Sequence, residues 1–427
     1  MARKMKDSGI EWIGEIPEGW EITKIKHIVS SVTDIDHFMP DSAEFGIPYL
    51  MIGDLKDLSS SIDWDSSKKI SIEDYKKLSI KSRPQIGDII FARYASIGTT
   101  CYIDTDRDFL VSYACLTIHP SDLIIGKFLS YYLKSSSFAE DVLRRTNSNT
   151  QGNVGKDSLV NATIVLPSII EQTQIVNFLD AKCSDINAML SKTRASIEEY
   201  KKLKQSVITQ AVTKTIYDDF GNPFKFRKLR SLCDVLSKGT TPKDIETQND
   251  EFYCIRYLKS ENIVSNQLNL NPTFFITAET NNSLERSKLN SGDILFVIAG
   301  ASIGKVAITT ADFLPANTNQ AVAFIRLSSS YQYAAKYIWY FLQSDVVKQL
   351  IALSAVQSAQ PNLSLEDLGA MRLPLPDQMG CLKITDCLDA KCAEIDKLIA
   401  KKEQLVKELE SYKKSLIYEV VTGKREV

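Results

Sequence analysis

The chain has 427 residues, 44% of them hydrophobic and 24% charged. This ordinary globular composition suits two or three domains with cores of their own and excludes wholesale disorder. Lys and Arg total 51 against 53 Asp and Glu, a formal net charge of −2, which excludes a polycation holding nucleic acid by bulk charge and leaves open a binding patch on one face.

In chain order, the start, MARKMKDSGIEW, lacks the apolar stretch of a secretory signal, and no later run nears the ~20 apolar residues of a membrane span. Ile89-Ile90-Phe91 reads as a buried strand bounded by turn residues and leads into Arg93-Tyr94-Ala95-Ser96 and Gly98. Residues 127–135 read as a helix. Residues 144–153, Arg-Arg-Thr-Asn-Ser-Asn-Thr-Gln-Gly-Asn, form a polar loop without apolar period. After Pro167, apolar or small residues recur in steps of four and three at Leu179, Cys183, Ile186, Leu190, Thr193, Ile197 and Tyr200, then at Val207 and Ala211, with Lys204 in one seam slot. This is a heptad seam, and Tyr217 to Pro223 ends it with turn residues. Further polar turns follow at Lys238 to Lys243, at Lys259 and Asn262, and at Asn317 to Gln320. Val322 to Ile325 reads as a strand, and Gln357 to Asn362 as an Asn/Gln loop. A second seam after Pro374 and Pro376 runs through Leu388, Cys392, Ile395, Ile399, Val406, Leu409, Leu416 and Val420, with Lys402 and Lys413 in its slots. Each helix of about 45 residues would measure about 65–70 Å at 1.5 Å per residue, longer than a normal domain, so the two are expected to pair as an antiparallel coiled coil.

The chain repeats itself at a period of 205 to 209 residues. Gly87-Asp88-Ile89 matches Gly292-Asp293-Ile294, and Ala95 to Gly98 matches Ala301 to Gly304. Residues 179–186 and 388–395, LDAKCSDI and LDAKCAEI, agree at six of eight positions. The expected fold is therefore α+β: two similar mixed heads, residues 1–166 and 217–376, and two long helices, residues 167–216 and 377–427, related by a pseudo-twofold repeat.

Catalytic signatures are missing from this pattern. The eight cysteines form no CxxC pair and read as reduced thiols of a cytoplasmic protein, and His27, His37 and His119 have no metal-ligand spacing. Gly300 to Val306 falls short of a P-loop: three residues separate its glycines, and Val306 stands where Ser or Thr would touch magnesium. Gly221-Asn222-Pro223-Phe224 lacks the second proline of an amino-methyltransferase tetrapeptide and reads as a linking turn. The heads are slightly acidic and the helices slightly basic.

Bases are read by Arg or Lys on guanine and Asn or Gln on adenine, with Ser and Thr adaptable. Were the heads to read DNA, the candidate contacts would be Arg93, Tyr94, Ser96, Ser112, Tyr113, Arg145, Asn147, Asn149 and Gln151 in the first copy. In the second they would be Lys238, Thr240, Thr241, Lys259, Asn262, Ser302, Lys305, Asn317, Asn319, Gln320, Gln357 and Gln360. The competing reading is a noncatalytic coiled-coil scaffold with two ligand-binding heads and no DNA role.

The opening residues 6–26, KDSGIEWIGEIPEGWEITKIK, the segments LPSIIEQTQIVNFLDAKCSDI and LPLPDQMGCLKITDCLDAKCAEI, the GDI(I/L)F and SIG phrases, and Lys238-Gly239-Thr240-Thr241-Pro242 together resemble the specificity subunits of Type I restriction-modification systems, the HsdS family. The resemblance covers essentially the whole chain. It implies two target recognition domains that each read half of a bipartite DNA sequence, and a helical spacer that sets the half-site gap. It also implies docking of methyltransferase subunits, two in number, with restriction/translocase subunits joining through that core. S-adenosylmethionine, ATP and Mg would then belong to the partners, with none held by this chain.

Overall fold

The computed structural model describes residues 3–94, 97–145, 154–213, 225–355 and 362–427, without the side chains of 354–355. It divides into two compact units, Met1–Thr193 with Gln404–Val427, and Arg194–Glu403.

In the first unit, after a small N-terminal ribbon, the strands of the head are β1 (Glu21–Lys24), β2 (Val29–Thr33), β3 (Ile47–Leu50), β4 (Lys69–Ile70), β5 (Ile89–Ala92), β6 (Thr100–Tyr102), β7 (Leu110–Val111), β8 (Cys115–Pro120) and β9 (Thr163–Leu166). Helices α1 (Gly126–Leu133) and α2 (Ser136–Arg145) follow β8, and the long helix α3 (Ile169–Thr213) follows β9. The second unit repeats the scheme with β10 (Lys225–Lys228), β11 (Cys233–Lys238), β12 (Tyr253–Leu258), β13 (Phe275–Thr277), β14 (Ile294–Val297), β15 (Val306–Ile308), β16 (Ala316–Thr318), β17 (Val322–Leu327) and β18 (Arg372–Leu375). Its longer helices are α4 (Ala335–Leu342), α5 (Asp345–Ala355) and the long α6 (Gln378–Val421).

The two heads share one topology. A four-stranded antiparallel sheet has the order β2-β8-β5-β6 in one and β11-β17-β14-β15 in the other. Beside it lies a three-stranded sheet, β4-β3-β7 or β13-β12-β16, whose last pair is parallel. A two-stranded ribbon, β1 with β9 or β10 with β18, joins the start of each head to the approach to its long helix. The central strands β5 and β14 read as continuous apolar runs because both their faces are covered. Ile89 and Phe91 face the core of α1 and α2, while Ile90 faces a smaller core with Phe109 and Cys115. Ile294, Phe296 and Ile298 part from Leu295 and Val297 in the same way, the period-two sorting a strand imposes.

The short motifs turn out to be turn chemistry. In Gly-Asp-Ile, the Asp carboxylate accepts from a backbone N–H three residues back, Gln85 N at 2.7 Å for Asp88 and Asn290 N at 2.8 Å for Asp293. Each Asp also meets a nitrogen-bearing side chain on the neighbouring strand, His119 at 2.9 Å and Arg326 at 2.7 Å. The glycine of Ser-Ile-Gly has φ +90° at Gly98 and +88° at Gly304. That is left-handed backbone, which a residue with a Cβ adopts only with strain.

The helical seam is buried where it meets each head. In the first unit Leu179, Cys183, Ile186 and Leu190 of α3 pack with Leu416, Ile417 and Val420 of α6, and with Val406 and Leu409 at the margin. In the second, Ile208 and Val212 of α3 pack with Leu388 and Cys392 of α6. Ile197 and Ile395 are buried as well, and Ile399 is half-buried. The start of each helix meets the end of the other, so the two run antiparallel, and their stripe is continuous with the cores of the heads.

Candidate nucleic-acid interface

In the first head, polar side chains gather where β2 and β5 end and β8 begins. Arg93, just past β5, donates its backbone N–H to Ala114 O at 2.9 Å and accepts from Val154 N at 3.0 Å. Its guanidinium lies 3.3 Å from Asp34, just past β2, and 5.7 Å from the ring centre of Tyr94. His37 stacks on Tyr113 with ring centres 4.8 Å apart. Tyr94 is 47% exposed, whereas the Arg93 side chain is only 14% exposed. The rim is thus charged and aromatic. Asp34 orients a planar donor fork, and Tyr94 offers a ring face able to pack against a sugar or base.

The second head builds the same rim from a different set of groups. Ile298 takes the place of Arg93, donating to Ala321 O at 2.9 Å and accepting from Leu363 N at 2.8 Å. Just past β11, Gly239 passes so close to β16 that a Cβ would lie 1.8 Å from Thr318 O. That approach requires glycine. It lets Thr240 N donate to Thr318 O at 3.1 Å and sets Thr241 in a hydrogen bond with Gln320. Tyr257 OH closes the corner by donating to Thr240 O at 2.9 Å. Lys238, Thr240, Thr241 and Gln320 are exposed and Asn319 half-buried, one ammonium with a set of hydroxyls and amides suited to base edges. Asn319 Oδ1 has no hydrogen-bond partner among the described residues.

Several candidate contacts are structural instead. Asn262 is 1% exposed; its amide donates to Asn269 O at 2.9 Å and Pro272 O at 2.6 Å, and its Oδ1 accepts from Lys259 N at 2.9 Å. Asn317 is fully buried, donating to Asn281 Oδ1 at 3.1 Å and Leu284 O at 3.2 Å. Ser112 is fully buried too. All three side chains are buried inside the heads and out of reach of a groove. Arg145 is committed to Asp141, a 1% exposed carboxylate, at 2.9 Å. Lys259 lies 3.4 Å from the centre of the Phe274 ring and 3.9 Å from Glu261. Ser302 and Lys305 line the half-buried turn after β14. Ser96, Asn147, Asn149, Gln151, Gln357 and Gln360 lie outside the described residues. Reading the chain by residue type missed Asp34, His37 and Tyr257; Asp34 and His37 could have been found by aligning β2 with β11, which sets them opposite the Gly-Thr-Thr turn.

Three buried thiols are passive. Burial pushes Cys101, Cys115 and Cys381 up to about 12, so they stay protonated and weakly nucleophilic at neutral pH.

The pattern of the Type I restriction modification DNA specificity domain matches twice, over residues 17–199 and 222–408, one copy for each head with its following helix. The chain belongs to this family. Among curated members, the MjaVIII specificity subunit of Methanocaldococcus jannaschii is 21% identical over 423 residues, covering 96% of this chain and 93% of the relative. The putative MjaX specificity subunit of the same organism is 24% identical, covering 96% and 95%. Two solved structures share the specificity-family fold. A chain of a type I R-M system, from work on its complex assembly and conformational transition, superposes with a TM-score of 0.72 at 16% identity, covering 96% and 99%. The HsdS subunit from Thermoanaerobacter tengcongensis gives 0.53 at 16%, covering 96% and 98%. Among the described residues no helix is long and apolar enough to cross a membrane.

Proposed function

We propose that this chain is the noncatalytic specificity subunit of a Type I restriction-modification complex. Residues 1–166 and 217–376 act as target recognition domains, and residues 167–216 and 377–427 as the spacer that sets the gap and docks methyltransferase subunits. The observation that carries this reading is one fold used twice with different rims. The first rim presents Arg93, Tyr94, His37 and Tyr113, and the second Lys238, Thr240, Thr241, Asn319 and Gln320. Two readers of equal shape and unequal chemistry fit a bipartite, asymmetric target, and linking them raises the effective concentration of the second contact.

The partners in this reading are double-stranded DNA and two methyltransferase subunits, with restriction/translocase subunits held through that core. A net charge of −2 leaves much of the phosphate grip to those partners. Methylation profiling of DNA from cells expressing the chain with its methyltransferase is expected to show a bipartite motif with a fixed nonspecific gap. A methylating complex without such a motif would overturn the proposal. The isolated chain is expected to bind DNA more weakly than the complex, and equal affinities would refute the division of labour.

A further inference from the structure

At the foot of each head a hollow with charged side chains in its wall meets the two long helices, about 300 Å³ in the first unit and about 790 Å³ in the second. Its side chains correspond at the 209-residue offset of the helices. In the first unit Lys127 and Tyr131 of α1 both reach Asp180 of α3, each at 2.7 Å. In the second, Lys336 and Tyr340 of α4 reach Asp389 of α6, the tyrosine at 2.8 Å. The lysine that interrupts each seam lies here too. Lys413 Nζ donates to Asn187 at 3.0 Å, and its equivalent Lys204 pairs with Asp396, the counterpart of Asn187, at 2.6 Å.

The two hollows differ at one corner. In the first, Asp57 of the head lies 2.8 Å from Lys134 of the head and 3.7 Å from Lys413 of α6, so charge ties head to helix. In the second, the equivalent pair is Asn266 and Gln343, joined by an amide hydrogen bond of 2.8 Å, and the charge of Lys204 is spent on the other helix. The two lysines beside Asp57 are 19% and 23% exposed, so that single, more exposed carboxylate is shared by two half-buried cations. Burial alone would raise the Asp57 carboxyl, but Lys134 and Lys413 outweigh it and hold it below the ordinary range.

We propose that these hollows are clasps that set how each head is seated on its helices: both share a lysine–aspartate pair between head and helix, the first adds a second charged tie at Asp57 where the second has neutral amides, and salt therefore loosens half-site discrimination by the first head before that by the second. Asp57, Lys134, Asn266 and Gln343 are positioning residues in this scheme, acting through the seat of the head. The inference rests on the specificity-subunit reading. Screening supplies the physical basis: the Debye length falls from ~8 Å at 0.15 M salt to ~3 Å at 1 M. Phosphate contacts weaken with salt at both half-sites, so the diagnostic quantity is the ratio of discrimination between them.

The test uses the assembled complex and its methylated motif. Methylation of cognate DNA is compared, across a salt series, with that of DNA substituted in one half-site or the other. In the native chain the ratio is expected to shift against the first half-site by about threefold to fivefold at high salt, the size of one or two exposed ion pairs. Asp57→Asn with Lys134→Gln, which copies the neutral corner, should abolish that shift. Asn266→Asp with Gln343→Lys should bring salt sensitivity to the second half-site. A bipartite motif whose ratio ignores salt, or is unmoved by both transplants in chains that melt as the native one does, overturns the clasp proposal and leaves the specificity reading standing. Absence of any bipartite motif overturns both.

Discussion

Asn262 and Gln320 stand at equivalent distances from the notion of a polar loop, yet they do opposite things. Asn262 satisfies three backbone groups inside the head. Asn262→Ala should cost on the order of 2–3 kcal/mol, since the orphaned groups stay buried, and should leave the recognised motif unchanged; a denaturant melt with methylation profiling checks both. Gln320 is exposed at the rim. Gln320→Ala should leave stability within about 0.5 kcal/mol and relax one position of one half-site by about 1–3 kcal/mol. Asp57 gives a pH signature. Burial raises its carboxyl, Lys134 and Lys413 lower it further, and the net shift is downward. Its contribution is therefore present above the unfolded carboxylate range and lost as pH falls through the depressed folded value. Asp57→Asn should destabilise the first head at neutral pH and become silent in acid, as seen in urea melts at several pH values.

At the scale of elements, the long helices are held by the heads as much as by each other. Leu388 is 1% exposed in a core shared by α6, α3 and α4, whereas Leu405 on the same helix is 43% exposed. Leu388→Ala should cost about 2–5 kcal/mol by loss of transfer energy and creation of a cavity. Leu405→Ala should stay within about 0.5 kcal/mol. Denaturant midpoints at unchanged slope report the difference. The helices were legible because a heptad stripe is a local signal, and so were β5 and β14, whose apolar runs are bounded by Gly-Asp turns. The small parallel pairs, β3 with β7 and β12 with β16, were not legible. They join segments about 60 residues apart and consist of two or three paired residues each, too short for any alternation to show.

At the scale of the whole molecule, the spacer reading predicts geometry. Deleting one matched heptad from α3 and α6 removes about 10 Å of helix at 1.5 Å per residue. The methylated gap should then shorten by about three base pairs at 3.4 Å each. Methylation profiling reads the result, and lost activity with an unchanged gap would refute the ruler. The deletion must be matched because the Lys204–Asp396 and Lys413–Asn187 pairs are equally spaced on the two helices, and a cut in one helix between them would prevent both pairs from forming together.

By itself the amino-acid order determined the duplication, the two long helices, the strands at the centre of each head and the family. All of these rest on contiguous or periodic patterns, and periodicity survives in one dimension. Only the tertiary structure decided which polar residues face outward. Asn262, Asn317 and Ser112 share composition and neighbourhood with Thr241, Asn319 and Tyr113. What separates them is the direction in which each strand end turns once its distant partner has paired with it. The same holds for the clasps: Asp57, Lys134, Asn187 and Lys413 lie far apart along the chain, and a charge network becomes visible only where the fold brings them within hydrogen-bond reach.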